Sequence, residues 1–450
     1  MLFSVHGSRR LSSATKSLLS TPHSSAPLPS TPERLIHSFQ SMSSVNSNKK
    51  LDSIADNDDI LTEILVRLPL KSILRCKSVS KQWRSLISGP HFCRRIYPDP
   101  YLVSGILLKE GHLNNQEIDF VPLIDNPTNP PLKTLTFVNH LLGSRILQSC
   151  HGLLICSRFT YRDFKLDYYI YNPTTKQLRT IPLPPGGQDS TIVRGMFLAY
   201  DPHKSPHYKV VCVRKPNSWQ DYLGIYSRLD HLDPCHYGHH CLCMGDYSRY
   251  QIEVYSSKTR SWRLSGRSFI AHCGVDFTRG VFWNGAVHWV NYYSSPSMYF
   301  KVDDKKLRKM PMPATPTPDV CRTLYLDESR AHLHLVEIYG MTKFDVYEMK
   351  TNYSGWFVKY QVDLGSITNA FPEMILTYLH PFDFAILGII READDAESYM
   401  VFYTDNKVIR YNLNDRTFNM IHDFSEGSEV IYPRSNWYGA YHYIETIASI

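Results

Sequence analysis

What this sequence lacks narrows the field first. Its longest purely apolar run is Phe384-Ala-Ile-Leu-Gly-Ile-Ile390, far short of the roughly 20 residues a membrane-spanning helix requires. No membrane partner is therefore expected. Cysteines are not dense or evenly spaced, as they are in small secreted scaffolds. The ten are scattered at Cys76, Cys93, Cys150, Cys156, Cys212, Cys235, Cys241, Cys243, Cys273 and Cys321. They read as reduced thiols of an intracellular protein. A Gly-rich phosphate loop after a strand, a nucleophile elbow and a metalloprotease helix motif are all missing. No catalytic residue stands out and no cofactor is expected.

Among the stretches without acidic residues, two bear on function. Residues 1–32 contain none, carry Arg9, Arg10 and Lys16, and are crowded with serine. That composition is shared by organellar transit peptides and by disordered leaders. Residues 1–50 are read as a disordered leader, upstream of a possible later start at Met42, with organellar targeting by residues 1–41 as the alternative. Without such targeting, the nucleus or cytoplasm is expected. The second stretch without acids, Ile64 to Pro98, holds Arg67, Lys71, Arg75, Lys77, Lys81, Arg84, Arg94 and Arg95. Over the whole chain the formal charge is only +7, which permits a nucleic-acid partner without arguing for one.

Aromatics, by contrast, are plentiful. Thirty Tyr, 20 Phe and 7 Trp make up 13% of 450 residues. Such side chains suit half-buried pleated surfaces, so β structure is expected. The length has room for two or three domains.

The clearest helical pattern begins at Asn57-Asp58-Asp59, acidic and Asx residues that suit an N-cap and first turn. Ile60, Leu61, Ile64, Leu65 and Leu68 follow at helical spacing, with Thr62, Glu63 and Arg67 on or beside the other side. Pro69 stops this helix and opens the next, in which Leu70, Ile73 and Leu74 share a face while Lys71, Arg75 and Lys77 lie elsewhere. Val79-Ser80 lead into a third helix marked by Trp83, Leu86 and Ile87, and Gly89-Pro90 ends the run. Three short helices cannot bury this much leucine and isoleucine among themselves, so part of the stripe needs a partner.

The whole run from Asp59 to Ser88 resembles a plant F-box. The order of apolar positions, the Arg67-Leu68-Pro69-Leu70 turn and the Val79-Ser80-Lys81-Gln82-Trp83 segment carry the resemblance. Two positions depart from it: Asp56-Asn57-Asp58 stands where Leu-Pro is usual, and Cys76 replaces a larger hydrophobe or Ala. The resemblance implies docking to a Skp-type adaptor, and through it to a cullin scaffold. Carried over by position, the adaptor face comprises Ile60, Leu61, Ile64, Leu65, Leu68, Pro69, Leu70, Ile73, Leu74, Val79 and Trp83. The F-box is placed at residues 51–97.

From residue 98 to 450 the pattern changes to short Val-, Ile-, Tyr- and Phe-rich runs broken by Gly, Pro, Asn and Asp. They recur in a shared order: an apolar strand, a turn, a strand ending in Tyr or Phe with a small polar residue, a polar turn, and a closing strand with Trp or Ile-Pro. The anchors Tyr171, Tyr255, Phe300, Tyr347 and Tyr411 lie 84, 45, 47 and 64 residues apart. A base period of about 45–50 with insertions fits four-stranded propeller blades. Residues 101–123 would start a first blade and Tyr441–Ile447 would close the ring as a late strand, giving about six blades. This region resembles the kelch-like F-box-associated domain, although Gly186-Gly187 falls in a loop rather than in a blade. A pair of β-sandwich-like domains is the alternative fold.

One segment tempts a metal reading. Cys235, His236, His239, His240, Cys241 and Cys243 crowd together, but without the paired spacing of a structural zinc site. They are read as a loop, and no metal is expected. His288, His332 and His334 alternate with apolar residues and read as core or channel-lining side chains. The combined reading is a small α-helical F-box module followed by an all-β, kelch-like propeller. It would recruit an unknown target protein to a ubiquitin ligase. The alternatives are a propeller enzyme or sugar-binding protein with a degenerate helical cap, and a basic helix-turn-helix that binds nucleic acid.

Overall fold

The computed structural model describes residues 57–68, 70–96, 99–110, 118–124, 144–160, 165–185, 191–216, 247–291, 296–313, 323–338, 342–372, 384–404, 406–424 and 437–450. The leader at 1–50, Pro69, Gly186-Gly187 and the Cys235–Cys243 segment lie outside them. The chain divides into two compact units, 1–61 and 62–450.

Four short helices come first: α1 (Asp58–Leu65), α2 (Leu70–Cys76), α3 (Lys81–Ile87) and α4 (Pro90–Ile96). The expected cap at Asn57 forms, and Ser80 supplies a further one. Asn57 Oδ1 accepts from the amides of Asp59 and Ile60 at 3.1 and 3.3 Å, and Ser80 Oγ accepts from the Trp83 amide at 3.0 Å, satisfying donors that a helix start leaves open. The sequence predicts three helices ending at Gly89-Pro90, and the fourth is a correction. Proline ends one helix but is equally suited to the first position of the next, where its missing N–H costs nothing.

The remainder is a six-bladed propeller. Five blades are antiparallel four-stranded sheets, each built from consecutive strands. They run β3–β6 (Ser144–Cys150, Leu153–Thr160, Lys165–Asn172, Gln177–Ile181) and β7–β10 (Thr191–Ala199, Lys209–Pro216, Tyr247–Ser256, Ser261–His272). Then come β11–β14 (Val281–Trp283, Ala286–Trp289, Ser297–Lys301, Lys306–Met310) and β15–β18 (Thr323–Ser329, His332–Ile338, Lys343–Met349, Trp356–Asp363). The last is β19–β22 (Ala385–Ile390, Tyr399–Thr404, Lys407–Asn412, Phe418–Asp423), preceded by a short helix α5 (Gly365–Ala370). The remaining sheet, in the order β2-β1-β23, pairs β1 (Gly105–Glu110) with β2 (Ile118–Pro122) on one side and β23 (Trp437–Tyr443) on the other. In that last pairing Gly105 lies opposite Tyr443. The innermost strands β23, β3, β7, β11, β15 and β19 follow one another in contact, and β19 meets β23 to complete the circle.

The apolar runs make sense on this frame. In β4, Leu153 and Ile155 enter one interblade core while Leu154 and Cys156 enter the next. In β20, Met400 and Phe402 face the blade before, and Tyr399, Val401 and Tyr403 the blade after. Side chains alternate across a strand, so a strand covered on both faces reads as continuous apolar sequence. Each of the six junctions between neighbouring blades holds a buried cluster among the described residues.

The recurrent signature also has a physical basis. Asn172 and Asn412 close equivalent strands and each accept two amides of the following turn, at 3.0 and 3.1 Å for Asn172 and 2.8 and 3.1 Å for Asn412. These are Asx turns. The turns end at Lys176, Arg260, Lys305 and Arg416, all at positive φ. The closing Trp and the Ile-Pro or Met-Pro dipeptide are partners. Trp262 Nε1 donates to Pro182 O of the preceding blade, and Trp356 Nε1 to Pro311 O, both at 2.7 Å. The run Gly280–Val290 is a hairpin rather than one strand, turning at Asn284-Gly285 with both residues at positive φ. The blade around the anchor Tyr411 is closed by β22. The expected late strand at Tyr441–Ile447 ends at Tyr443, and the residues beyond it turn away.

Candidate functional site: the helical module and the two rims

The apolar stripe of α1 divides into two rows. Residues 60 and 64 form one, and 61, 65 and 68 the other, about 100° apart on a helix of 3.6 residues per turn. Leu61 and Leu65 are buried, and so is Ile73 of α2. These three members of the sequence-derived docking face are interior residues of this chain. Ile60 (43%), Ile64 (42%) and Val79 (48%) stay exposed, whereas Leu68, Leu74 and Trp83 are half-buried. Pro69 and the Leu70 side chain lie outside the description. Ile87 and Phe92 complete the buried set. Thr62, placed by the sequence on or beside the polar side, is buried at 3%. An ion pair joins Glu63 of α1 to Arg95 of α4. Its partners are half-exposed, so it fixes little.

Lys77 is the second departure. Read as a surface cation, it is 7% exposed. Its Nζ donates to Ile447 O at 2.6 Å and contacts Ser449 Oγ at 3.2 Å. Burial lowers its amine to about 8.

The propeller presents two unlike rims. The links from first to second and from third to fourth strand of each blade lie at one rim. Most are tight, such as 151–152 and 330–331. The other rim takes the links from second to third strand and between blades, among them the described residues 273–280 and the helix α5. At the tight rim Asp99 accepts two hydrogen bonds from Arg330 Nη1, at 2.8 and 2.9 Å. Two residues on, the Tyr101 ring stacks on His203 at 5.5 Å and meets the edge of His151 at 5.9 Å. Arg330 follows innermost strand β15, while His151 and His203 follow β3 and β7. The blades carrying β15 and β3 stand opposite in the ring, so residues 99–101 run across the axial opening.

Most of the titratable groups inside serve packing. His288 is fully buried, with Nδ1 at 3.2 Å from Val281 O and Nε2 at 3.0 Å from Tyr353 OH. Burial holds it neutral, with a pKa of about 3. His334 is equally buried and also depressed to about 3, but its ring nitrogens have no hydrogen-bond partner among the described residues. The nearest charge is the Glu348 carboxylate, 3.8 Å from Nε2. Glu348 joins His332 (2.7 Å) to Arg391 (2.6 Å), and Arg391 continues to Asp395 (3.0 Å). Burial works against the Glu348 carboxylate, yet the bond from His332 and the neighbouring cations hold its pKa below the ordinary value. The network clamps two adjacent blades together. Among the described residues no cluster of three His, Cys, Asp or Glu is placed to hold a metal.

The fold thus defines a class: a run of short capped helices with exposed isoleucines, followed in sequence by a six-bladed propeller. Comparison with known proteins gives the class a family. The F-box domain matches residues 57–95, and the F-box associated beta propeller domain matches 124–325. The Arabidopsis thaliana F-box protein At5g07610 is 35% identical over 402 residues, covering 84% of this chain and 88% of that one. F-box protein At5g49610, also from Arabidopsis thaliana, is 26% identical across 70% of this chain and 81% of its own length. The chain belongs to the F-box protein family. In general terms this carries a substrate-recognition role in ubiquitin ligation, a Skp-type adaptor as partner, and service as an adaptor subunit.

Proposed function

We propose that this chain is the receptor of a Skp-adaptor, cullin and F-box ubiquitin ligase. In this reading the helical module holds the adaptor, and through it the cullin, while the propeller holds a target protein. The observation that carries it is the split stripe. The interior row closes the module's own core, and Ile60, Ile64 and Val79 remain outside as apolar surface. Burying one such side chain contributes about 1.5–3 kcal/mol before the costs of association.

The target would sit at the rim opposite residues 99–101, which cross the axial opening. Ligation then follows from proximity: a held target meets the ubiquitin-charged partner at raised effective concentration. No residue of this chain needs to form a covalent bond.

Co-purification of the chain with a Skp-type adaptor tests this, alongside an Ile64→Asp variant. Capture lost in the variant with its thermal midpoint intact is the expected result. No capture by the unaltered folded chain would overturn the docking role.

A further inference from the structure

We propose that the segment Ile444–Ile450 is a strap that fixes the angle between the helical module and the blades, with Lys77 as its positioning residue on the module side. The segment follows β23 without regular secondary structure, yet its backbone polar groups are engaged on both sides. Asn172 Nδ2, at the end of β5, donates to Thr446 O at 3.1 Å and to Ala448 O at 2.9 Å. The Thr446 amide donates to Thr174 Oγ1 at 3.2 Å. The intervening carbonyl, Ile447 O, points the other way and accepts from Lys77 Nζ at 2.6 Å. Alternate carbonyls of an extended chain face opposite directions, so one short segment grips the blade through residues 446 and 448 and the module through 447. Ser88 of the helical module adds a contact to Ser449 Oγ at 3.2 Å.

Side chains strengthen the same link. Ile447 is wholly buried, and Ala448 and Ile450 pack into the core between the second and third blades of the ring. Gly152 lies beneath the strap at φ +82°, where a Cβ would come within 2.4 Å of Ile444 O. A side chain there would lift the strap from the blade.

Lys77 is a costly way to make such a contact. A lysine amine buried against a carbonyl and a hydroxyl loses hydration, and no carboxylate is paired with it among the described residues. The expected return is geometric: the module cannot turn against the blade while Ile447 O is held. This inference does not depend on the ligase reading, since it concerns two parts of one chain.

The test uses the full chain with spin labels carried by bio-orthogonal residues at the exposed positions Ser85 and Lys306. A single narrow distance distribution is expected in the unaltered protein. Lys77→Met should at least double its width, and removal of 444–450 should widen it further. Protection of the α2 and α3 amides from hydrogen exchange should persist in both, which a loss of module folding would not allow. Should the shortened chain fail to fold, Lys77→Met decides alone, because it leaves the blade contacts in place. An unchanged distribution in Lys77→Met would overturn the proposal.

Discussion

The helical module and the propeller handle apolar sequence in opposite ways. Inner blade strands are covered on both faces, so a run such as Tyr399–Thr404 is absorbed completely. The helices are only seven or eight residues long, well under the roughly 12–15 at which an isolated helix becomes even marginally stable. They depend on caps and on a small shared interior, and that interior takes in only one row of the α1 stripe. Apolar side chains left uncovered on the blades, such as Leu264 and Ile270, lie on an outer strand, whereas those of α1 lie on the row beside its buried one.

Trp289→Ala should hurt most. It empties a fully buried site packed against Phe197 and Phe277, for a loss of about 3–5 kcal/mol in denaturant unfolding. A loss below about 1 kcal/mol would break the contrast, since it would mean that the blades are not tightly packed.

Acid comes next. His288 and His334 have folded pKa values of about 3 against an ordinary 6.5, so below about pH 6.5 the unfolded chain binds protons that the folded one refuses. Their contribution is intact above 6.5 and falls as pH drops toward 3, by about 1.4 kcal/mol per pH unit for each group. His334→Gln should flatten the decline of the thermal midpoint between about pH 6.5 and 5. An identical slope in the variant would remove His334 from the account.

Smaller effects test single links. Trp262→Phe removes the bond to Pro182 O and should cost about 1 kcal/mol. Ser80→Ala removes the cap of α3, also for about 1 kcal/mol, in this case with α3 amides exchanging faster while blade amides do not. Ile64→Asp should be the smallest of all in stability, within about 0.5 kcal/mol. In adaptor binding it should be among the largest, at least tenfold.

The legible parts were those whose cause is local. Period-two and period-3.6 patterns, Asn caps and turns, and the Tyr-Asn and Trp/Ile-Pro signatures all act within a few residues, so they revealed the helices and the blade count. The places of Lys77, Tyr101 and Asp99 are not legible in the sequence because their partners are distant in it. The bonds from Lys77 to Ile447 and from Arg330 to Asp99 span hundreds of positions. The exposed row of α1 was named, but its division from the buried row could not be read from spacing alone, since both rows belong to one wide apolar face.

The pairing of Gly105 with Tyr443 sets a timetable. Residues 105–110 are made early, and their strand partner is the last of the ring to leave the ribosome. Until it arrives β1 lacks its inner neighbour, and the apolar clusters flanking that sheet stand open, so long-range closure is the slow event. An unpaired strand edge of this kind invites other chains. Pulse-labelled hydrogen exchange during refolding is expected to find the amides of β1 and β23 protected last, with aggregation confined to the interval before they are.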